Sequence, residues 1–372
     1  MNVVVVGGGI AGVRAALECA KARVGRVTLV SESAHLRHHE TLQLARMGLT
    51  KNSSRISLDE LCAEYANIRV ILDTAISIDV DRKHLIGKAA SYEYDELIMS
   101  LGVVSKHGGA DTVNTLTHIY SELEADYTAG RHFDRVITIV GGGKEGVELA
   151  GAVHEYTKNL IQEYPTSPSR VEIRLVEQQP VIVPRHSTQA QRKVLHRLRH
   201  NGIKVQVDVS AHIAGSSVIC GNDKVPLHTT LWANGSVNNP FYVEHPEFFQ
   251  IDRNGCVDVD PYLEAYPHIY VIGQNLSVQG TSTVKNTLDT ADFIVDHLLR
   301  ISTREYPLPY RATSTITTIE TDSRWAYVEC FGVYVTGWFG RKLAAYIERV
   351  NIRKIMSSVA AKIFVVRSTT KM

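Results

Sequence analysis

Several features that would fix a chemistry at once are missing from this chain. Only five cysteines occur in 372 residues: Cys19, Cys62, Cys220, Cys256 and Cys330. No two stand at CxxC-type spacing, so neither a thiol redox pair nor a zinc ribbon is written here, and unpaired structural thiols in a reducing compartment are expected. No apolar run is long enough to span a bilayer. The formal net charge is only +1, which gives the whole molecule no bias toward nucleic acid. Low-complexity segments and long linkers are absent, and with the first strand expected to start at Asn2 or Val3, no signal peptide is expected. What remains is an ordinary globular composition, 44% hydrophobic and 21% charged, in a chain long enough for two or three domains.

Against that background one pattern appears twice. "NVVVVGGG" is a β-branched run ending in glycines, and "IAGVRAALECAKA" continues at helical spacing. Gly7, Gly9 and Gly12 therefore stand between a buried parallel strand and a helix, with Ile10 and Ala11 opening that helix. This is the setting of the dinucleotide fingerprint. The first glycine permits the tight turn, the second lets backbone approach a pyrophosphate, and the third lets helix and strand pack closely. The phosphates then meet unpaired N–H groups and the positive end of the helix dipole. A second strand, "GRVTLVSE", closes on Glu32, whose carboxylate can accept bonds from an adenosine ribose.

The same order recurs more than a hundred residues later. "DRVITIV" leads to Gly141, Gly143 and Gly146, then to a longer helix that begins "KEGVELAG" and includes Glu145, then to "RVEIRLVEQ", which closes on Glu177. No Arg or Lys follows Glu177 directly, and a carboxylate there repels a 2′-phosphate, which favours NADH over NADPH. Two fingerprints imply two dinucleotides. The useful combination is one flavin and one nicotinamide.

Between and after the motifs, "NIRVILDTAISIDVDRKHLI" alternates like antiparallel strands, "SYEYDELIMSLG" is a strand ending at Gly102, and "TTLWANG" is a strand ending in a turn at Gly235. "HIYVIGQ" is a buried strand reaching Gly273 and Gln274, and "TVKNTLDTADFIVDHLLR" is a helix. The order is that of a first domain interrupted by a second and completed later.

On these marks the chain resembles the two-dinucleotide-binding-domain flavoprotein superfamily of pyridine nucleotide oxidoreductases. "VVVVGGGIAG", "YDELIMSLG", "VGGGKEGVELAG", "TTLWANG" and "IYVIGQ" occur in the order and spacing of that superfamily across roughly residues 1 to 300. The resemblance implies an α/β fold of two Rossmann-like dinucleotide-binding domains, the second inserted in the first, plus a C-terminal strand and amphipathic-helix region. The expected division is an FAD-binding domain at 1–112 and 250–300, an NADH-binding domain at 113–249, and a membrane-association region at 301–372. It also implies that Gly102, Gly273 and Gln274 adjoin the flavin, that Gly235 lies near the NADH path, and that Glu148 sits close to the nicotinamide and flavin. Members that reduce disulfides carry a CxxxxC pair early in the chain, and this sequence has none, so electrons must leave the flavin directly.

The stretch "SRWAYVECFGVYVTGWFGRKLAAYIERV" is similar to the C-terminal part of type II NADH dehydrogenases, which pass electrons from NADH to membrane quinone. The expected activity is thus an FAD-dependent NADH:quinone oxidoreductase on the cytoplasmic face of a membrane. Phe339, Leu343, Ile347 and Val350, then Ile352, Met356, Val359, Ile363 and Val366, recur at helical spacing. Lys342, Arg349, Arg353 and Lys354 occupy the opposite side, and from residue 341 onward eight bases face one acid, Glu348. A basic amphipathic helix suits an anionic membrane, each base contributing about 1 kcal/mol near the surface. The alternative is a dimerisation or core-packing helix with a solvated basic side, and two-fold dimers are common among similar proteins.

The sequence departs from the family at four places, one of them "HLRHHE" near residue 40, where the family prefers apolar and proline residues. Gln274 replaces an aspartate that accepts a bond from the flavin ribityl chain, Ser100-Leu101-Gly102 keeps only the glycine of its mark, and Leu288-Asp289 stand where quinone users carry an Ala-Gln pair. His35, His38, His39 and Glu40 invite a metal reading, but no third ligand or supporting shell is evident, and a polar loop near a cofactor phosphate is preferred. Two other functions stay open: transfer to oxygen or a soluble carrier, and a nucleotide-binding module with little turnover.

Overall fold

A run of four consecutive valines has nowhere to go but the middle of a sheet with helices on both sides. The computed structural model describes residues 1–36, 56–105, 112–165, 170–233, 235–253, 255–278, 284–312 and 316–355. Its first part runs β1 (Asn2–Val6), α1 (Ile10–Lys21), β2 (Arg26–Ser31), α2 (Leu58–Cys62), β3 (Ile68–Leu72), β4 (Ala75–Asp79), β5 (His84–Gly87), β6 (Ser91–Glu93), β7 (Glu96–Met99) and β8 (Val103–Ser105). The middle part runs α3 (Thr112–Thr128), β9 (Asp134–Val140), α4 (Lys144–Glu163), β10 (Arg170–Val176), α5 (Thr188–His200), β11 (Lys204–Gln206), β12 (Ala211–Ala214), β13 (Ser217–Cys220), β14 (Asp223–Pro226), β15 (Thr230–Trp232) and β16 (Ser236–Asn238). The last part runs α6 (Pro240–Glu244), β17 (Glu264–Tyr266), β18 (Ile269–Val271), α7 (Val284–Thr303), β19 (Thr317–Asp322), β20 (Trp325–Cys330), β21 (Val333–Thr336) and α8 (Gly337–Ile355).

The first sheet has the order β17-β18-β7-β1-β2-β3. All its pairings are parallel except β17 with β18. Because β1 pairs Val6 with both Val30 and Met99, the carboxyl ends of three strands open on one crevice, where ligands bind in such sheets. The second sheet, β11-β10-β9-β15, is wholly parallel. Each sheet has its own core. Val3–Val6, Leu29, Leu97 and Ile98 anchor one, and Ile137, Ile139, Leu175 and Leu231 anchor the other. Helix α7 returns to the first sheet, where Leu288, Ala291, Ile294 and Leu298 join the first core.

The insertion expected from the sequence is thus present. The chain leaves the first sheet through β8 and returns through β16, and these two strands pair antiparallel, Val104 opposite Val237. Phe241, Tyr242 and Phe249 already belong to the first core.

One expectation fails. The stretch from Asn67 to Ile86 is not antiparallel throughout. β3 pairs in parallel with β2, and only β4, β5 and β6 form an antiparallel meander. β3 is an edge strand of half-buried and exposed residues, and an apolar–polar alternation in sequence cannot tell such a strand from an antiparallel one.

The C-terminal strands form a separate three-stranded sheet, β19-β20-β21, covered on one side by α8. Gly340 lets α8 lie flush on it, since a Cβ there would collide with the Ala326 carbonyl oxygen. Ala344 is buried and Ile347 packs with it against Ala326 and Val328. The expected stripe is therefore split: Ile347 faces inward, while Phe339, Leu343 and Val350 are exposed together with Trp338 and Tyr346. Among the described residues, no helix is long and apolar enough to cross a membrane.

Candidate functional site

The two glycine turns have almost the same geometry. Gly7 has φ +117° and Gly141 φ +111°, values a side chain rarely adopts. The N–H of Gly7 donates to Val30 O and that of Gly141 to Val176 O, each at 2.8 Å. A Cβ on Gly12 would collide with Gly7 O, and one on Gly146 with Gly141 O, so each third glycine presses its helix onto the turn. Gly9 and Gly143 are the N-caps of α1 and α4. Neither cap has a side-chain acceptor, and a Cβ on either would meet nothing within 4 Å. Open space in front of unpaired N–H groups is what a pyrophosphate requires.

Around the first turn the other expected residues gather. Ser100, just after β7, donates its hydroxyl to Val6 O at 2.7 Å, and its oxygen stands where a Cβ on Gly12 would fall. In the sequence Ser100 stands out only as a departure from the family mark, although a small hydroxyl beside the glycine of that mark is the available signal. Ala11 is buried against the loop after β18, where a Cβ on Gly273 would lie 3.3 Å from the Ala11 Cβ. Ile10 packs partly against the first core. The Gly273 N–H donates to Thr290 Oγ1 at 3.1 Å, which ties this loop to α7, and Gln274 follows, half-buried. Glu32 is exposed one residue beyond β2. Gly102, at φ +69°, receives at its carbonyl the Asn275 amide, which also donates to Asn238 Oδ1 at 2.8 Å. Buried Asn275 thereby clasps both strands that connect the two sheets.

Around the second turn, Glu177 is buried one residue beyond β10. Its Oε2 accepts from Gly142 N at 2.5 Å and its Oε1 from Gln179 N at 2.7 Å. Glu145 is exposed in the first turn of α4, and Gly235, at φ +103°, is exposed after β15. Glu148 is buried, and its Oε1 accepts from the backbone N–H of Glu320 at 3.0 Å. The site thus includes the C-terminal sheet: α4 lies so close to β19 that a Cβ on Gly151 would collide with Thr321 O. Nothing local in the sequence announces a contact across 172 residues.

Two buried thiols are poor nucleophiles. Burial, with Glu18 adding to it, pushes Cys19 up to about 12, and burial with Asp59 pushes Cys62 up to about 11. Both remain thiols at neutral pH. Of the histidine cluster, His35 pairs as a β-bridge with Ser57, and His38, His39 and Glu40 lie outside the described residues.

The C-terminal bases are unequally available. Arg341 pairs with Glu320 at 3.5 Å, Lys342 stands over the Trp338 ring at 5.3 Å, and Lys354 pairs with Asp292 at 3.5 Å and Asp289 at 3.6 Å. Lys354 is therefore turned onto α7 rather than free on a solvated face, because two carboxylates there outcompete water. Arg349 and Arg353 are exposed, while Met356 to Val366, with Lys362, Arg367 and Lys371, lie outside the described residues.

Comparison with known proteins agrees with this geometry. The profile of the family described as pyridine nucleotide-disulphide oxidoreductase matches residues 1–291. A type II NADH:quinone oxidoreductase of Staphylococcus aureus is 24% identical over 299 residues, 73% of each chain, and the Staphylococcus saprophyticus protein of that name is equally similar. Among solved structures, the sulfide:quinone oxidoreductase of Aquifex aeolicus superposes with a TM-score of 0.76 at 18% identity, over 100% of this chain and 96% of the other. NDH2 of Plasmodium falciparum in complex with NADH also gives 0.76, at 13% identity over 99% and 97%.

Proposed function

Since the chain belongs to the pyridine nucleotide-disulphide oxidoreductase family, we propose that it is an FAD-dependent NADH:quinone oxidoreductase. The observation that carries this reading is the pair of matching cradles on two separate parallel sheets. The residues fit both cofactors. Gly9 and Gly143 leave room for a pyrophosphate in front of uncapped helices, and Glu32 and Glu177 stand at the strand ends where an adenosine ribose needs an acceptor. FAD, when bound, supplies hydride acceptance and release of electrons singly or in pairs.

The chain's own residues do the positioning. Gly7, Gly9, Ile10, Ala11, Gly12, Glu32, Gly102, Gly273 and Gln274 would hold FAD. Gly141, Gly143, Glu145, Gly146, Glu177 and Gly235 would hold NADH. The buried Asn275 clasp would set the angle between the two halves, and hydride transfer depends chiefly on that alignment. Residues 1–112 and 250–300 would form the FAD unit and 113–249 the NADH unit, except that Phe241, Tyr242 and Phe249 pack in the first core and so belong with the FAD unit. Glu148, inside the molecule and beside the C-terminal sheet, is the group we assign to proton delivery in the second half-reaction.

A quinone acceptor is supported by three things: the names of the sequence relatives, the high-pKa buried thiols, and exposed apolar side chains on the C-terminal strands and helix. Phe331 and Phe339 are 82% and 71% exposed, Val333, Trp338 and Tyr346 are exposed as well, and the Trp338 and Phe339 rings pack 5.0 Å apart, which is unusual for a surface facing only water. With Lys342, Arg349 and Arg353, which are exposed, these side chains would suit an anionic membrane on the cytoplasmic side, reached through residues 341–372.

The test is spectroscopic and kinetic. NADH added without oxygen should bleach the flavin absorbance, and a quinone analogue should restore it. Phe339→Glu combined with Trp338→Glu should abolish binding to anionic vesicles while leaving the bleaching. A protein that takes up no flavin on reconstitution would refute the activity. Bleaching without reoxidation by quinone would redirect the acceptor to oxygen or a soluble carrier.

A further inference from the structure

The two cradles match in backbone and differ in the residues that open each helix. In α1 these are Ile10 and Ala11, and in α4 they are Lys144 and Glu145. Ala11 is buried under the loop at Gly273, so the first cradle is covered by its own domain. The second is not covered in this way. Lys144 is half-buried, and its Nζ has Thr318 Oγ1 at 3.5 Å, a neutral partner at the limit of a hydrogen bond. No carboxylate pairs with Lys144 among the described residues.

His186 adds a second observation at the same place. The loop that carries it is pinned to the turn, because Val183 N donates to Gly142 O at 2.7 Å and His186 N donates to Val183 O at 2.9 Å. The His186 Nδ1 is buried without a hydrogen-bond partner, and burial, followed by the Lys144 charge, lowers the imidazole pKa. The cation at this cradle is therefore Lys144, next to a neutral ring and uncapped N–H groups. Glu145 is exposed, so solvent and salt weaken its opposing charge more than they weaken the field of a half-buried ammonium.

We propose that Lys144 is the capture residue for the exchanging dinucleotide, its ammonium leaving Thr318 for the pyrophosphate of NADH when the nucleotide arrives. This rests on the NADH reading of the second fingerprint. A resident cofactor needs no such group, and Ile10 holds the matching place in the first cradle. An incoming substrate carrying two negative charges gains from one, because a field at the mouth of a cleft raises the association rate and a charge-assisted bond slows departure.

The test uses the flavin-loaded protein. Binding of ADP-ribose, which carries the pyrophosphate but no nicotinamide, is measured by calorimetry at low and high salt for wild type, Lys144→Met and Lys144→Arg, and NADH association is followed by stopped flow. Lys144→Met should weaken ADP-ribose about tenfold at low salt and flatten the salt dependence, Lys144→Arg should restore most of both, and flavin content should be the same in all three. Unchanged affinity and unchanged salt dependence in Lys144→Met would overturn the inference and leave Lys144 as an anchor for β19. Failure of wild type to bind ADP-ribose would instead overturn the NADH reading beneath it.

Discussion

The carboxylate of Glu148 accepts the backbone N–H of Glu320 at 3.0 Å, across the edge of β19 that no other strand covers among the described residues. Glu155, two turns further along α4, does the same for Ser323 N at 2.9 Å. The helix of the second fingerprint thus satisfies donors that an open sheet edge would leave bare. Removing the acceptor should show this. Glu148→Ala leaves a buried N–H without a partner and should cost about 1–3 kcal/mol in urea unfolding. Glu148→Gln keeps an acceptor oxygen and should cost much less.

The same pair of variants separates structure from chemistry. If Glu148 delivers protons, Glu148→Gln should slow quinone reduction about a hundredfold while NADH still bleaches the flavin at close to the wild-type rate. Equal slowing of both half-reactions in stopped flow would make its role positional only.

Glycines with similar motif roles should fail in different ways. Gly12→Ala and Gly146→Ala drive a methyl into a carbonyl oxygen and should destabilise by about 1–3 kcal/mol or prevent folding. Gly9→Ala and Gly143→Ala meet only open space, so melting of the cofactor-free protein should hold. Their cost should fall on binding instead: lower flavin occupancy for Gly9→Ala, and NADH affinity down at least about tenfold, or about 1.4 kcal/mol, for Gly143→Ala.

Asp322 should make stability acid-sensitive. Burial by itself would raise its carboxyl. Bonds from Arg197 at 2.9 Å and Asn201 at 3.2 Å, the Arg197 charge and the Arg324 N–H outweigh burial and hold the pKa below the usual value. A depressed folded pKa stabilises fully above the unfolded carboxyl value, about 4, and the contribution is lost as pH falls through the lower folded value. Asp322→Asn should therefore melt lower than wild type at pH 7, with the gap closing in acid. A gap independent of pH would contradict the shift.

The end of α8 is held by charge. Arg14 Nε bonds Asp292 at 2.6 Å, Arg14 Nη1 bonds the Lys354 carbonyl, and Lys354 reaches Asp292 and Asp289. Asp292→Asn should speed hydrogen exchange in the last turns of α8 and leave β19–β21 unchanged. The effect should shrink in high salt, since these groups are only partly buried.

Most of the fold is legible in the chain because it depends on local, periodic signals. Glycines at fixed offsets between a β-branched run and a helical run leave the backbone little choice but a tight turn under a helix N-terminus, and both cradles follow from them. The parallel placement of β3 is not legible, since alternation reports one-sided burial and not strand direction. The C-terminal stripe breaks at Ile347 because the helix buries small residues, Gly340 and Ala344, beside it, and small residues carry little weight in a hydrophobic pattern. Asn275 and the Glu148–Glu320 contact join elements far apart in sequence, so no local pattern could show them.

Gly151 leaves α4 no play against β19, and α8 lies flush on β20 through Gly340. The final helix must then follow the second dinucleotide unit as a rigid lever. Its 19 residues span about 28 Å, so a tilt of about 3° at its root moves its tip by about 1.5 Å. The ion pairs of Lys354, at 3.5 and 3.6 Å, have less slack than that before they pass about 4 Å. Of the apolar side chains that would touch a membrane, Trp338, Phe339 and Tyr346 stand on the shaft of this lever, between the half that would receive NADH and the half that would hold the flavin.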